Sequence, residues 1–170
     1  MIKKLIKKMK IKKNYVEYCR ELGVRIGEGC EFYEPIIFGS EPYLITLGNN
    51  VRIGWNVSFF THDGGVWVLR NLHEDMKDID KFGTIVVKDN VHISPWACIL
   101  AGVTIGENSI IGCGAIVTKD VPPNSIVAGV PARVIKTIDE YAKLDFDHTS
   151  KMSPAEKRRY LENKFYGEEK

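Results

Sequence analysis

Aliphatic residues recur at every sixth position through the segment Ile85 to Ile135. Val87, Ile93, Ile99, Ile105, Ile111 and Val117 form one column, unbroken across six steps. Four positions after each lies a second column of small or β-branched side chains: Val91, Ala97, Val103, Ser109, Ala115 and Val121. Turn-formers fall between the columns, at Asp89-Asn90, Pro95, Gly102, Glu107-Asn108, Cys113-Gly114 and Lys119-Asp120. A period of six fits neither an α-helix nor a meander of varied strands. It fits a short strand, a corner and another short strand, wound so that each rung stacks on the last. No rung can bury its inward column alone, so a core forms only when the coils stack.

The same hexads begin earlier, at Ile26-Gly27-Glu28-Gly29-Cys30-Glu31 and on to Phe38. Cys30 falls on the small inward column, where a thiol packs as a small hydrophobe. The register slips by three near Gly39-Ser40-Glu41-Pro42, read as a corner bulge, and resumes from Leu47 to Phe59. Between 61 and 84 the period is lost and charges abound. A loop of that length inside a regular solenoid is expected to serve function. Ahead of the hexads, Ile2, Leu5, Ile6 and Met9 make an apolar stripe among lysines, which predicts an amphipathic helix. Asn14-x-x-Glu17 reads as a capping box for a second helix, Tyr15 to Leu22, stopped by Gly23. Behind the hexads, a helix from about Ile138 to Leu144 is expected. Another opens at Ser153-Pro154-Ala155-Glu156 and is expected to cover the open end of the core. Three units follow: a basic helical segment (1–23), a coil domain (24–136) with an excursion loop (61–84), and a helical tail (137–170).

With 170 residues this is one domain with appendages. The net charge of +2 conceals an asymmetry, because the first 13 residues hold seven lysines and no acid. The other residues carry 17 basic against 22 acidic side chains, about −5, so nothing beyond the N-terminus suggests a nucleic-acid partner. No apolar run reaches transmembrane length, and the lysine-rich start lacks the h-region of a signal peptide. It packs on protein, or it rests weakly on an anionic membrane surface. The four cysteines show no CxxC or disulfide-like spacing, and a reducing, cytoplasmic location is expected, peripheral at the inner membrane face if the lysines bind lipid.

Hexads such as Ile105-Gly106-Glu107-Asn108-Ser109-Ile110 resemble those of the hexapeptide-repeat acyltransferases. The closing run from Ile116-Val117-Thr118-Lys119-Asp120-Val121-Pro122-Pro123-Asn124-Ser125 to Ala128-Gly129-Val130-Pro131-Ala132-Arg133-Val134-Ile135 is similar to the galactoside/maltose O-acetyltransferase branch and its polysaccharide-modifying relatives. The resemblance, over residues 24–137, implies an all-β solenoid: a left-handed parallel β-helix with short terminal helices. It implies a homotrimer with sites between subunits, acetyl-CoA as co-substrate, and a sugar or glycan acceptor.

His62 stands where the hexads break into the long loop, in Phe59-Phe60-Thr61-His62-Asp63-Gly64-Gly65. A neutral imidazole there can take the proton from an acceptor hydroxyl as its oxygen attacks a thioester carbonyl. The resemblance puts the catalytic histidine at this place; without it, His62 reads as a solvated loop residue. A base needs an orienting partner. Asp63 is adjacent, but neighbours in an extended strand point to opposite faces, so Glu74, Asp75 or a backbone carbonyl are alternatives. Asn56 matches an asparagine near the acceptor in the family, and equally suits a corner that needs left-handed geometry. Trp67, like Trp55 and Tyr43, can stack on a sugar face or pack between subunits.

For the donor, glycine at Gly102 and at Cys113-Gly114 lets backbone approach a pantetheine arm. The family contacts carry over onto Thr118 and Lys119, with Arg133 and Lys136 for the nucleotide phosphates. Relatives have an aromatic residue then Ile-Gly where this chain has His92-Ile93-Ser94-Pro95-Trp96, so Trp96 is the candidate wall of that channel. Pro95 lacks the backbone N–H found there. His73 and His148 read as surface residues. Other functions stay open on the same fold: a sugar N-acetyltransferase or antibiotic acetyltransferase, a γ-carbonic-anhydrase-like metal site, or a non-catalytic scaffold. The histidine spacing lacks the metal pattern, and no metal is expected.

Overall fold

A computed structural model describes residues 15–167. The lysine-rich stripe and Asn14 of the expected capping box lie outside them. Helix α1 (Tyr15–Glu21) opens the described chain, and Gly23, at φ +108°, ends it. Short strands follow: β1 (Arg25–Ile26), β2 (Glu31–Phe32), β3 (Ile45–Leu47), β4 (Arg52–Ile53) and β5 (Ser58–Phe59). The excursion contains helix α2 (Val66–Leu72). Beyond it come β6 (Ile85–Val87), β7 (His92–Ile93), β8 (Cys98–Ile99), β9 (Thr104–Ile105), β10 (Ile110–Ile111) and β11 (Ile116–Val117). The chain closes with β12 (Ser125–Ala128), β13 (Arg133–Thr137), α3 (Ile138–Tyr141) and α4 (Pro154–Tyr166).

The strands form three sheets, β1-β3-β6-β9, β2-β4-β7-β10-β12-β13 and β5-β8-β11. All pairs are parallel except the terminal β12–β13. Register measures the coil. Val87 pairs with Ile105, Ile93 with Ile111 and Ile99 with Val117, each 18 residues on. Lower down the step is 21 (Ile26 to Leu47, Phe32 to Ile53), so the slip at Gly39–Pro42 adds three residues to one coil. The next step is 40 (Leu47 to Val87, Phe59 to Ile99), so the excursion adds 22.

Both predicted columns from residue 87 to 121 are 5% exposed or less. Each valine or isoleucine so buried stabilises the coil by about 1.5–3 kcal/mol relative to leaving it in water. Ser109, the polar member, donates its hydroxyl to the Pro122 carbonyl at 3.1 Å. At one corner, Asn50, Asn90, Asn108 and Asn124 all adopt left-handed φ near 55°, which asparagine tolerates. Their amides link upward, Asn90 Nδ2 to Asn108 Oδ1 at 2.8 Å and Asn108 Nδ2 to Asn124 Oδ1 at 3.0 Å.

Three expectations are adjusted. Cys30 is only half-buried, donating to the Gly48 carbonyl at 3.2 Å, whereas Cys19 in α1 is fully enclosed and burial pushes its thiol up to about 12. α3 ends at Tyr141, short of Leu144. α4 has the expected Ser153–Glu156 capping box and Pro154 but buries none of its side chains, so it adds no buried face to the coil. Instead β13 lies along the last strand, antiparallel to β12. No described helix is long and apolar enough to cross a membrane.

Candidate active site

The two interruptions of the period meet at one place. In the lower coils a residue stacks on the one 21 positions later, as Ile37 does on Ser58. Glu41, in the three-residue slip, and His62, at the start of the excursion, are separated by that step. Adjacent strands lie about 4.8 Å apart, so the two side chains come within bonding reach. His62 Nδ1 lies 2.9 Å from Glu41 Oε2, and the Thr61 hydroxyl donates to the same oxygen at 2.8 Å. These bonds, His62 first and Thr61 second, hold the Glu41 carboxyl below its ordinary range. A carboxylate can only accept, so Nδ1 carries the proton and Nε2 is left with its lone pair. The Glu41 side chain is 14% exposed and that of His62 40%, so the carboxylate backs the ring while the ring faces outward.

The excursion is pinned at its mouth. His62 bridges Phe82 in an antiparallel pair, the Asp63 N–H donates to the Lys81 carbonyl (2.9 Å), and the Gly83 N–H donates to that of Thr61 (2.8 Å). Asp63 therefore turns from the imidazole, accepting from the Gly65 N–H at 2.9 Å and from Lys81 Nζ at 3.1 Å. It is not the orienting partner, and Glu74 and Asp75, in a turn farther along the loop, are not either.

His62 borders two cavities. One, of about 310 Å³, is walled by the excursion: Trp67, Arg70, Asp80 and Phe82, with Glu41 and Asp63. The other, of about 340 Å³, follows the outside of the coil past Phe60, Leu100, Ala101 and Thr118. Phe60, Leu100 and Thr118 are register equivalents on three successive coils, so this trench runs along the stacking direction. A third cavity joins Lys119 to Arg133 just beyond Thr118. Gly102, at φ +85° on the corner after Leu100, has no atom within 4 Å of where a Cβ would stand, which leaves room for a narrow chain.

Other predicted residues are placed elsewhere. Trp96, Cys113 and Gly114 sit on the corner before β8 and β11, whereas Gly102 and Thr118-Lys119 sit on the corner after them. None of these three cavities joins the two groups. Asn56 occupies the former corner, at φ +59°, and lines neither cavity at His62. Its register equivalents there are Trp96 and Gly114, so its corner role is met. Trp96 is itself left-handed, at φ +60°, a strained state for a bulky side chain, and it packs edge-on to Trp55 at 5.6 Å. Lys136 lies on β13 opposite Ile126, outside the Lys119–Arg133 cavity. His92 is on β7, away from His62, with Nδ1 buried and unbonded; desolvation, then the Arg52 charge, lowers its pKa. Among the described residues no three of His, Cys, Asp and Glu gather as a metal site.

The coil, the hexads and this histidine cleft define a class, and comparison agrees. Residues 84–119 match the family described as bacterial transferase hexapeptide (six repeats). The chain belongs to the hexapeptide-repeat acetyltransferases. It is 45% identical to Protein CapG of Staphylococcus aureus over 170 residues, 96% of either chain. Its fold is similar to galactoside acetyltransferase solved in complex with coenzyme A (31% identity, TM-score 0.56, 76% of this chain and 73% of that one). It is also similar to a hexapeptide-repeat acetyltransferase of Vibrio cholerae complexed with acetyl coenzyme A (30% identity, TM-score 0.59), covering 68% of this chain and 60% of that one.

Proposed function

We propose that the protein is an acetyl-CoA-dependent O-acetyltransferase acting on a hydroxyl of a sugar or of a cell-surface or capsular polysaccharide precursor. One observation carries the reading. His62, backed by Glu41, stands where a cavity edged by an aromatic loop meets a trench along the coil. The acceptor occupies the loop side and the thioester the trench, with pantetheine passing Gly102 and Thr118 and phosphates meeting Lys119 and Arg133. The relatives solved with coenzyme A or acetyl coenzyme A support that donor.

His62 Nε2 takes the hydroxyl proton as the oxygen attacks the thioester carbonyl. Glu41 holds the Nδ1–H side of the ring, so that Nε2 is the atom turned to the hydroxyl. The tetrahedral adduct collapses by C–S cleavage, and His62 returns the proton to the departing thiolate. No acyl-enzyme is required, and Cys113 sits on the corner before β11, away from His62.

The coil is left-handed and the assembly a homotrimer in this reading. Trp96, Cys113 and Gly114 lie on the corner away from their own His62, so they can wall the donor trench only of a neighbouring copy. The four free cysteines suit a reducing, cytoplasmic setting. The test is mass spectrometry of products from a sugar panel with acetyl-CoA. A 42-Da gain (about, one acetyl) that mild alkali removes is expected of an ester. An alkali-stable gain, or none on any acceptor, contradicts O-acetyl transfer.

A further inference from the structure

The acceptor-side cavity has an electrostatic property that narrows its substrate. Its charged lining consists of Glu41, Asp63, Arg70, Asp80 and Lys81, three carboxylates against two cations. Both cations are engaged. Arg70 pairs with Asp80 and donates Nε to the Ile79 carbonyl at 2.8 Å, and Lys81 pairs with Asp63 at 3.1 Å. Glu41 is bound to His62, and among the described residues no other cation pairs with it. The surrounding excursion, 61–84, extends the imbalance with five acidic against three basic side chains. The apolar part of the lining is Val66 with the rings of Trp67 and Phe82, Trp67 being 68% exposed.

We infer that the sugar unit bound beside His62 carries no carboxylate, phosphate or sulfate. This rests on the acetyltransferase reading above. An anionic group entering here finds no free cation among the described residues, and it meets a lining with one carboxylate in excess. Binding it would require breaking Arg70–Asp80 or Lys81–Asp63. An uncharged ring loses nothing to this field, and its C–H face can lie on Trp67 while its hydroxyls reach the paired carboxylates. Recognition of acidic sugars calls for the opposite arrangement, a cation left free to make a fork or point contact.

The test compares matched acceptors at low ionic strength: a neutral methyl hexoside, the corresponding methyl hexuronide and the hexoside 6-phosphate. Acetyl transfer is followed by CoA release with wild type and Asp80→Asn. Wild type is expected to favour the neutral hexoside over either anion by about fivefold to tenfold in kcat/KM, carried by KM and shrinking with added salt. Asp80→Asn frees Arg70, and its uronide-to-hexoside ratio is expected to rise. An anionic acceptor preferred by wild type, or a ratio that Asp80→Asn leaves unmoved, overturns the inference while leaving acetyl transfer intact. Turnover of no acceptor at all overturns both.

Discussion

Glu41 Oε2 and His62 Nδ1 lie 2.9 Å apart, and each residue belongs to a break in an otherwise regular six-residue period. The slip supplies the carboxylate and the excursion supplies the ring, one coil apart. Regular hexads build the core, and their interruptions bring this pair together.

Glu41→Gln keeps the size of the side chain and removes its charge. The ring then loses the acceptor that fixes its tautomer. We expect kcat to fall roughly tenfold to a thousandfold with the dissociation constant of CoA unchanged. Steady-state kinetics beside calorimetric titration with CoA check this. Equal loss of kcat and CoA affinity would assign Glu41 to architecture.

The hexad columns made the core legible in advance, because a rung that buries its inward side chains must repeat them. Every column residue from Val87 to Val121 lies inside. The His62 partner was not legible in the same way. Glu41 sits in a segment that reads as a bulge, and nothing local to it signals chemistry. The clue was long-range: a slip of three lengthens the coil to 21 residues, and 21 positions before His62 stands Glu41. Asp63, adjacent in sequence, is drawn off by Gly65 and Lys81, bonds that depend on how the loop folds back. The division of the candidate donor residues between two corners was hidden because a hexad does not state which corner it turns.

Ile105 is fully buried between neighbouring coils. Ile105→Ala removes three methyl or methylene groups from a stack that cannot collapse without moving adjacent rungs. A loss of about 2–5 kcal/mol is expected from denaturant unfolding. A loss under about 1 kcal/mol would mean that the column is loosely packed.

Lys119 and Arg133 border one cavity beyond Thr118. If they hold phosphates, replacing either by Ala weakens CoA binding by about 1.5–3 kcal/mol while sparing acceptor KM. Lys136→Ala, outside that cavity, should have the smaller effect. Calorimetric titration with CoA ranks the three, and a larger loss at Lys136 would move the phosphate site.

His92, half-buried with its Nδ1 enclosed, has its pKa lowered from 6.5 by desolvation and by Arg52. The unfolded chain then binds the proton more readily than the folded one. Stability should fall as pH drops through 6.5 toward the depressed value and level off below it. His92→Phe removes this slope, so thermal melts from pH 7.5 to 5.5 should be flatter for the variant. Parallel curves would show that His92 titrates normally in the fold.

The account depends above all on His62 taking a proton from an acceptor that attacks a thioester held in the adjoining trench. CoA release across neutral sugar acceptors, wild type against His62→Ala, with acetyl-CoA affinity measured on both, tests this directly. A fall in kcat of about a hundredfold to ten-thousandfold at unchanged donor affinity is expected. Undiminished turnover by His62→Ala would contradict it.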